Sequence, residues 1–471
     1  MVPIYLHNTL SGRKEEFKPL LGRFLGFIGK PRVGMYHCGP TVYNFAHIGN
    51  LRAYVFADTL KRLMKASGYR VHQVINITDV GHLTSDADTG EDKMETARRR
   101  ERKSAWDIAR HYTEAFFEDL RGLNVDTDGT RFPRATDYID EQIAIVKKLE
   151  KKGFAYRTSD GIYFDTALFP EYGKLGKIDL KGIREGQRIG VNEEKKNATD
   201  FVLWKFSPAG ERREMEWDSP WGKGFPGWHI ECSAMSEALL GLPVDIHTGG
   251  IDHIPVHHNN EIAQSEAAEG RQFVRYWLHS AFLNVEGGKM AKSEGNFLTL
   301  GSLKEKGYDP LAYRYYLLGA RYSTPLNFTW EALEAAATAY NRYVAAVTEL
   351  PDGGTADGEL FQKALSYVAD DLDTPKALAM AWEVVKSEAL SAADKKATLL
   401  ELDRLLGLIK ELPAAQKNGD TLPEKILELA AARAEARNAK NWKLSDDLRD
   451  QIAALGYDVK DTPEGQKITK R

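Results

Sequence analysis

A chain of 471 residues is too long for one core and implies about three domains, and 42% hydrophobic with 28% charged residues describes a soluble globular protein. Its mean hydropathy is −0.44, no apolar run nears the ~20 residues of a membrane span, and the N-terminus lacks the basic head and apolar core of a signal peptide. Two cysteines exclude a disulfide framework and point to a reducing cytoplasm, while a formal charge of −4 leaves local basic patches for nucleic acid open. In chain order, "RVGMYHC" (32–38) predicts a strand with Val33, Met35 and His37 on one face, running into a Gly-Pro turn. Leu51, Val55, Leu60, Leu63 and Met64 follow helical spacing, and Gly68 stops that helix. "YRVHQVINITDV" predicts a second buried strand. The resulting βαβ unit predicts a parallel sheet with its ligand at the carboxyl ends of the strands.

A charged helix is expected over 91–120, with "ARRRERK" near its start read as a solvated face. Residues 125–201 carry a helix at 138–152, short strands and loops, and read as an insertion. Sheet segments resume at "FVLWKF", "VDIHTGG" and "YWLHSAFLNV". Beyond Asp309 the chain is helical. The helix over 330–350 should bury Leu333, Ala336, Tyr340, Val344 and Val347; "LPDGGTADGE" breaks the pattern, and two more helices follow. A linker is predicted at 413–424. The last fifty residues form a separate module, with Leu448, Ile452 and Leu455 as its apolar spacing. Arg433, Arg437 and Lys440 form a basic stripe, and Trp442 is expected in the core rather than as a stacking platform.

Three constellations carry chemistry. His47, Gly49 and Asn50, in "HIGN", sit where a turn becomes a helix, so side-chain donors and free amides could meet an anion. Lys289 and Lys292, in "GGKMAKSEGN", are flexible point charges suited to a phosphate chain. Cys38, Cys232, His257 and Glu261 offer two thiolates, an imidazole and a carboxylate, a plausible zinc set; His257 and Glu261 share one helix face. Taken singly, each pattern also fits an ordinary turn, a solvated loop, or two buried thiols beside a surface helix.

Together they resemble the class I aminoacyl-tRNA synthetases, whose signatures are HIGH and KMSKS. "MYHCGPTVYNFAHIGN", "NITDV", "PGWHIECSAMS", "HTGGIDHIPVHHNNEIAQSE" and "KMAKSEGN" resemble successive blocks of the cysteinyl-tRNA synthetase family, and the C-terminal "ARAEARNAKNWKLSDDLRDQIAALGYDVKDTPEG" resembles its final module. The resemblance implies an α/β fold: a Rossmann-like parallel-sheet catalytic domain with an insertion, then an all-α C-terminal half and a small anticodon-binding module. The implied division is 1–124 and 201–308 for the catalytic halves, 125–200 for the insertion, 309–412 for the helical region and 421–471 for the anticodon module. It also implies ATP-dependent activation of L-cysteine to cysteinyl-adenylate, then transfer to tRNA(Cys), by a cytoplasmic monomer. One zinc per chain would be held by Cys38, Cys232, His257 and Glu261, and ATP would come with Mg2+. Gly39, Thr41, Thr78 and Trp228 would surround the cysteine; His47, Gly49, Asn50, Gly250, Asp252 and Lys292 would hold ATP; His47, Asn50, Lys289 and Lys292 would act in catalysis.

The sequence departs from the family pattern at Asn50 for the second His of HIGH and at Ala291 for the first Ser of KMSKS. It departs again at Asn259, where a carboxylate beside the ligands is usual, and residues 21–31 are longer than the pattern. Two rivals share the motifs: an ATP-dependent ligase joining cysteine to an amino sugar, which should lack an anticodon module, and a catalytically dead RNA-binding relative, which should have lost lysines or ligands.

Overall fold

A computed structural model describes residues 2–20, 31–81, 93–178, 194–208, 213–285, 297–410, 424–439, 441–462 and 465–470. The 21–31 extension, the two lysines of "KMAKS" and the predicted linker therefore fall almost wholly outside the described residues. The chain divides into two compact units, Met1–Ile409 and Lys410–Arg471. Among the described residues, no helix is long and apolar enough to cross a membrane.

The first unit opens with an antiparallel hairpin, β1 (Tyr5–Asn8) and β2 (Arg13–Glu16). The predicted βαβ unit follows as β3 (Arg32–His37), α1 (Ile48–Ala66) and β4 (Arg70–Ile75). β3 is buried on both faces: Val33 and Met35 point one way, and Tyr36 is equally hidden on the other. That is the signature of a central parallel strand. α1 buries Leu51, Val55, Leu60, Leu63 and Met64 and ends at Ser67, where Gly68 takes φ +88°. The second strand stops at Ile75, earlier than expected. Asn76–Val80 stays buried but bonds only through isolated bridges, among them Thr41 to Thr78.

The charged stretch is two helices, α2 (Lys93–Glu101) and α3 (Ala105–Gly122). Ser104 restarts the helix by accepting the Asp107 N–H at 3.1 Å. α4 (Ile139–Lys151) then packs beside an antiparallel sheet of β5 (Ala155–Arg157), β6 (Gly161–Phe164), β7 (Phe201–Phe206) and β8 (Gly224–Pro226). "FVLWKF" is β7. It does not rejoin the parallel sheet but pairs with β6 and β8, because its run of buried residues covers the core of Phe164, Trp204 and Trp221. The parallel sheet resumes only after α5 (Trp228–Leu240), with β9 (Val244–Gly250), α6 (His257–Glu269) and β10 (Val274–Ser280). Its order is β10-β9-β3-β4.

β11 (Leu283–Val285) pairs with β12 (Leu326–Phe328) across α7 (Leu300–Glu305) and α8 (Pro310–Leu318). α9 (Trp330–Glu349) buries Leu333, Ala337, Tyr340, Tyr343 and Val347. Its core stripe thus passes through Ala337 and Tyr343, leaving Ala336 and Val344 half-buried. Three helices follow the break rather than two: α10 (Gly358–Ala369), α11 (Thr374–Lys386) and α12 (Ala392–Leu406).

The second unit contains α13 (Glu424–Asn438), α14 (Trp442–Ala454) and the hairpin β13 (Tyr457–Thr462) and β14 (Gly465–Lys470). Ile426, Leu429, Leu448 and Ile452 form its core. Three expectations change here. Leu455 is exposed. Arg433 is fully buried and donates to Gln466 Oε1 at 2.8 Å, so it is no part of an exposed stripe. Trp442 is 56% exposed, with the Arg437 guanidinium 5.7 Å over its ring. Lys440 lies outside the described residues.

Candidate functional site

The parallel sheet reverses its winding between β3 and β9. β3 leads through α1 to β4 on one side, and β9 leads through α6 to β10 on the other. The loops leaving two such strands part, and a crevice opens at their carboxyl ends. A cavity of about 600 Å³ occupies that place. Every described candidate residue except Glu261 lines it, and Glu261 is buried behind His257.

Cys38 follows β3 directly, held by its N–H to Thr248 O at 3.1 Å. Gly39 comes next, where a Cβ would sit 1.5 Å from the Asn76 carbonyl oxygen; only glycine lets the two strand ends approach so closely. Its N–H donates to Asn76 Oδ1 at 2.8 Å. The same Oδ1 faces Cys232 Sγ at 3.8 Å, and Asn76 Nδ2 donates to Thr78 Oγ1 at 3.0 Å. Asn76 thereby ties the Cys232 thiol, the Gly39 backbone and Thr78 together. Sequence reading passed over it inside "NITDV", although its place just past the second strand is the available signal.

α6 brings the remaining donors. His257 Nε2 lies 3.0 Å and His258 Nε2 3.8 Å from Glu261 Oε1, and His258 Nε2 lies 3.3 Å from Cys38 Sγ. The donor atoms of Cys38, His257, His258 and Glu261 all fall within 4.8 Å of one another. Cys232 hydrogen-bonds both Cys38 and His257. His258 is the member that sequence reading missed; the second His of "VHH" is its only mark.

Electrostatics sharpen the cluster. The hydrogen bond with Cys38 draws the Cys232 thiol down to about 7 against burial, while burial drives the Cys38 thiol up. Burial alone would depress His257, but Glu261 and Cys232 hold it up at about 10. Burial raises Glu261, but His247 and His257 bring it to about 2. Glu261 Oε2 meets His247 Nε2 at 2.9 Å, yet its buried Oε1 accepts no hydrogen bond of good geometry. A buried carboxylate beside two imidazoles and two thiols is a donor set that a zinc ion would complete.

The helix end lies across the cavity. His47 caps α1: its Nδ1 accepts the Asn50 N–H at 3.0 Å, and Asn50 Oδ1 accepts the His47 N–H at 3.2 Å. An accepting Nδ1 puts the proton of a neutral ring on Nε2. At the end of β9 the Asp252 carboxylate folds back over Gly250, where a Cβ would lie 2.2 Å from its Oδ1. Trp228 stands over His257, ring centroids 4.4 Å apart. Lys289 and Lys292 lie outside the described residues; Leu283 and Phe297, on either side of that stretch, both line the cavity. Asn259 does not face the ligands. It donates to Leu175 O and Ile254 O and accepts the Leu175 N–H, so it fastens the insertion.

Known proteins match this arrangement along its length. The family described as tRNA synthetases class I (C) catalytic domain matches residues 25–338, and the cysteinyl-tRNA ligase anticodon binding domain matches 420–468. A cysteine–tRNA ligase 1 of Burkholderia lata is 50% identical, covering 99% of this chain and 97% of that one. A cysteine–tRNA ligase of Treponema denticola is 42% identical, covering 97% of each. Among solved structures, a Mycobacterium tuberculosis methionyl-tRNA synthetase in complex with methionyl-adenylate shares the fold at a TM-score of 0.53 and 16% identity, covering 80% of this chain and 90% of that one. An Agrobacterium radiobacter leucyl-tRNA synthetase, from a ternary complex with tRNA, does so at 0.54 and 13%, covering 82% and 84%. With catalytic and anticodon-binding families matching in order, and relatives aligned nearly end to end, the chain belongs to the cysteinyl-tRNA synthetase family.

Proposed function

We propose that this chain is a cysteine–tRNA ligase: it activates L-cysteine with ATP to cysteinyl-adenylate and passes the cysteine to tRNA(Cys). The observation that carries the reading is one cavity flanked by a thiol–imidazole–carboxylate cluster on one side and a capped helix N-terminus on the other. A side chain recognised by its sulfur and a nucleotide recognised by its phosphates would then lie side by side.

Cys38, Cys232, His257 and Glu261 would hold a zinc ion, with the His258 imidazole among them against the Cys38 thiol. A bound zinc supplies a soft acid that takes a thiolate in preference to a serine hydroxyl. Gly39, Thr41, Thr78 and Trp228 would enclose the amino acid. His47 Nε2–H and Asn50 Nδ2 would donate to the triphosphate, and Gly49 and the end of α1 would bring backbone donors near it. Gly250 and Asp252 would take the nucleoside, and Lys289 and Lys292 would follow the phosphates as bonds rearrange. Mg2+ would enter with ATP, bound mainly by phosphate oxygens. Aligning the carboxylate with the α-phosphorus is the main catalytic task, and no covalent enzyme intermediate is required. The enzyme is read as a cytoplasmic monomer, its two cysteines free thiols. Its catalytic halves would flank an insertion that starts near 125 and runs on through β8, ahead of the helical region and the anticodon module.

ATP–pyrophosphate exchange should depend on cysteine and not on serine, and tRNA(Cys) should be charged. Cys232→Ser should weaken both zinc and cysteine binding. Stoichiometric zinc in a Cys38→Ala/Cys232→Ala double variant would remove the metal assignment, and cysteine-independent exchange would remove the activity.

A further inference from the structure

The chain is acidic overall, yet residues 93–110 carry seven basic and three acidic side chains, a local charge of +4 against −4 for the whole. This is the "ARRRERK" stretch, and the activation chemistry uses none of it. Arg98 and Arg100 are spent on neighbours, with Glu95 at 2.7 Å and Glu101 at 2.6 Å. Arg99, Arg102 and Lys103 are exposed; of these, Lys103 alone has an ion-pair contact among the described residues, a loose one of 3.9 Å to Glu101.

This face adjoins the lip of the cavity. Arg100 Nη2 donates to the Tyr43 carbonyl at 3.4 Å, and the Phe45 ring meets those of His111 and Tyr112 on α3 at 5.8 and 5.0 Å. Tyr43 and Phe45 both line the cavity, and Phe45 leaves 44% of its surface exposed. Cations exposed on a helical segment that Arg100 fastens to the lip, and a ring exposed on that lip, are what a single-stranded polynucleotide recognises: phosphates on the charges, a base on the ring.

We propose that Arg99, Arg102 and Lys103, together with Phe45, form the docking surface for the single-stranded 3′ end of the tRNA. This rests on the ligase reading, since only an RNA whose terminal ribose must reach the cavity needs a track across its lip. The phosphates of the last unpaired nucleotides would lie along the three cations, and a base would stack on Phe45 as the strand bends inward.

The test compares the full-length enzyme with Arg99→Glu/Arg102→Glu/Lys103→Glu and with the corresponding triple Gln variant. Cysteine-dependent pyrophosphate exchange, which needs no tRNA, should be unchanged in both; its loss in the unmutated enzyme would instead overturn the ligase reading. In charging assays the KM for tRNA should rise at least ~10-fold in the Glu variant. The slope of log Kd for tRNA against log salt should shrink by about 2, at ~0.7 per lost phosphate contact. A tRNA lacking its last four nucleotides should bind the unmutated enzyme and both variants alike. Normal exchange with unchanged tRNA KM and salt slope would overturn the proposal. So would a variant defect that persists in full on the truncated tRNA, which would place the contact on the duplex.

Discussion

Asn50 closes a reciprocal cap with His47 and still has an amide to offer the cavity. Asn50→Ala should cost about 1 kcal/mol of stability, as lost caps do, and raise the ATP KM; a thermal melt beside exchange kinetics checks both. Asn259 makes a sharper case. The family pattern places a carboxylate beside the ligands here, whereas the Asn259 amide serves the Leu175 carbonyl of the insertion and the Ile254 carbonyl of the turn before α6. A carboxylate cannot donate to them. Asn259→Asp should therefore destabilise the fold by ~2 kcal/mol while leaving zinc content unchanged, readable by denaturation and metal analysis. Asp79 adds a pH test. Burial lifts its carboxyl to about 6, against Thr136 and Arg134, which favour the charge. The folded state thus holds a proton between pH ~4 and ~6 that the unfolded chain has released. Its contribution is greatest below ~4 and is lost as pH rises through 6. Asp79→Asn should gain ~2 kcal/mol on the unmutated protein between pH 4 and 7, seen as a widening gap in Tm; a gap that stays constant would remove the assignment.

Elements were legible wherever period and punctuation agreed. Strand β3, helix α1 and its stop at Gly68 could be read from alternation, spacing and one glycine. β7 was legible as a strand but not in its pairing, because both sheets demand the same buried run. The candidate site followed the same rule. Residues within quoted motifs could be named, but Asn76 and His258 act through partners 156 and 220 positions away, and no local pattern records such a distance. Arg433 failed for a related reason: a helical stripe says which residues share a face, and burial of that face is decided by the hairpin packed on it. One element-scale contact was invisible for the same cause. Arg52 of α1 is buried and donates to five carbonyls, at Ala281, Phe282, Arg321, Tyr322 and Thr324. It clamps the end of β10 to the turn before β12. Arg52→Lys keeps the charge but has too few donors. It should lower the melting temperature and raise the ATP KM, since Ala281 and Phe282 line the cavity.

At the scale of the molecule, the site and the tail belong to separate compact units. A chain ending at 410 should keep cysteine-dependent exchange near the full-length rate and show a sharply raised KM for tRNA. If it charged native and anticodon-altered tRNA(Cys) as the full chain does, the tail would not be reading the anticodon.

The sheet order carries one more consequence. β3 lies between β4, which follows within forty residues, and β9, which follows some two hundred residues later. During synthesis at ~5–20 residues per second, one edge of a largely buried central strand waits roughly 10–40 s for its partner. Meanwhile the antiparallel sheet between them can complete. The nascent chain therefore passes through an interval with a sticky open edge at the strand that leads into Cys38, and that edge is where a chaperone would be needed and where arrested or truncated chains would aggregate.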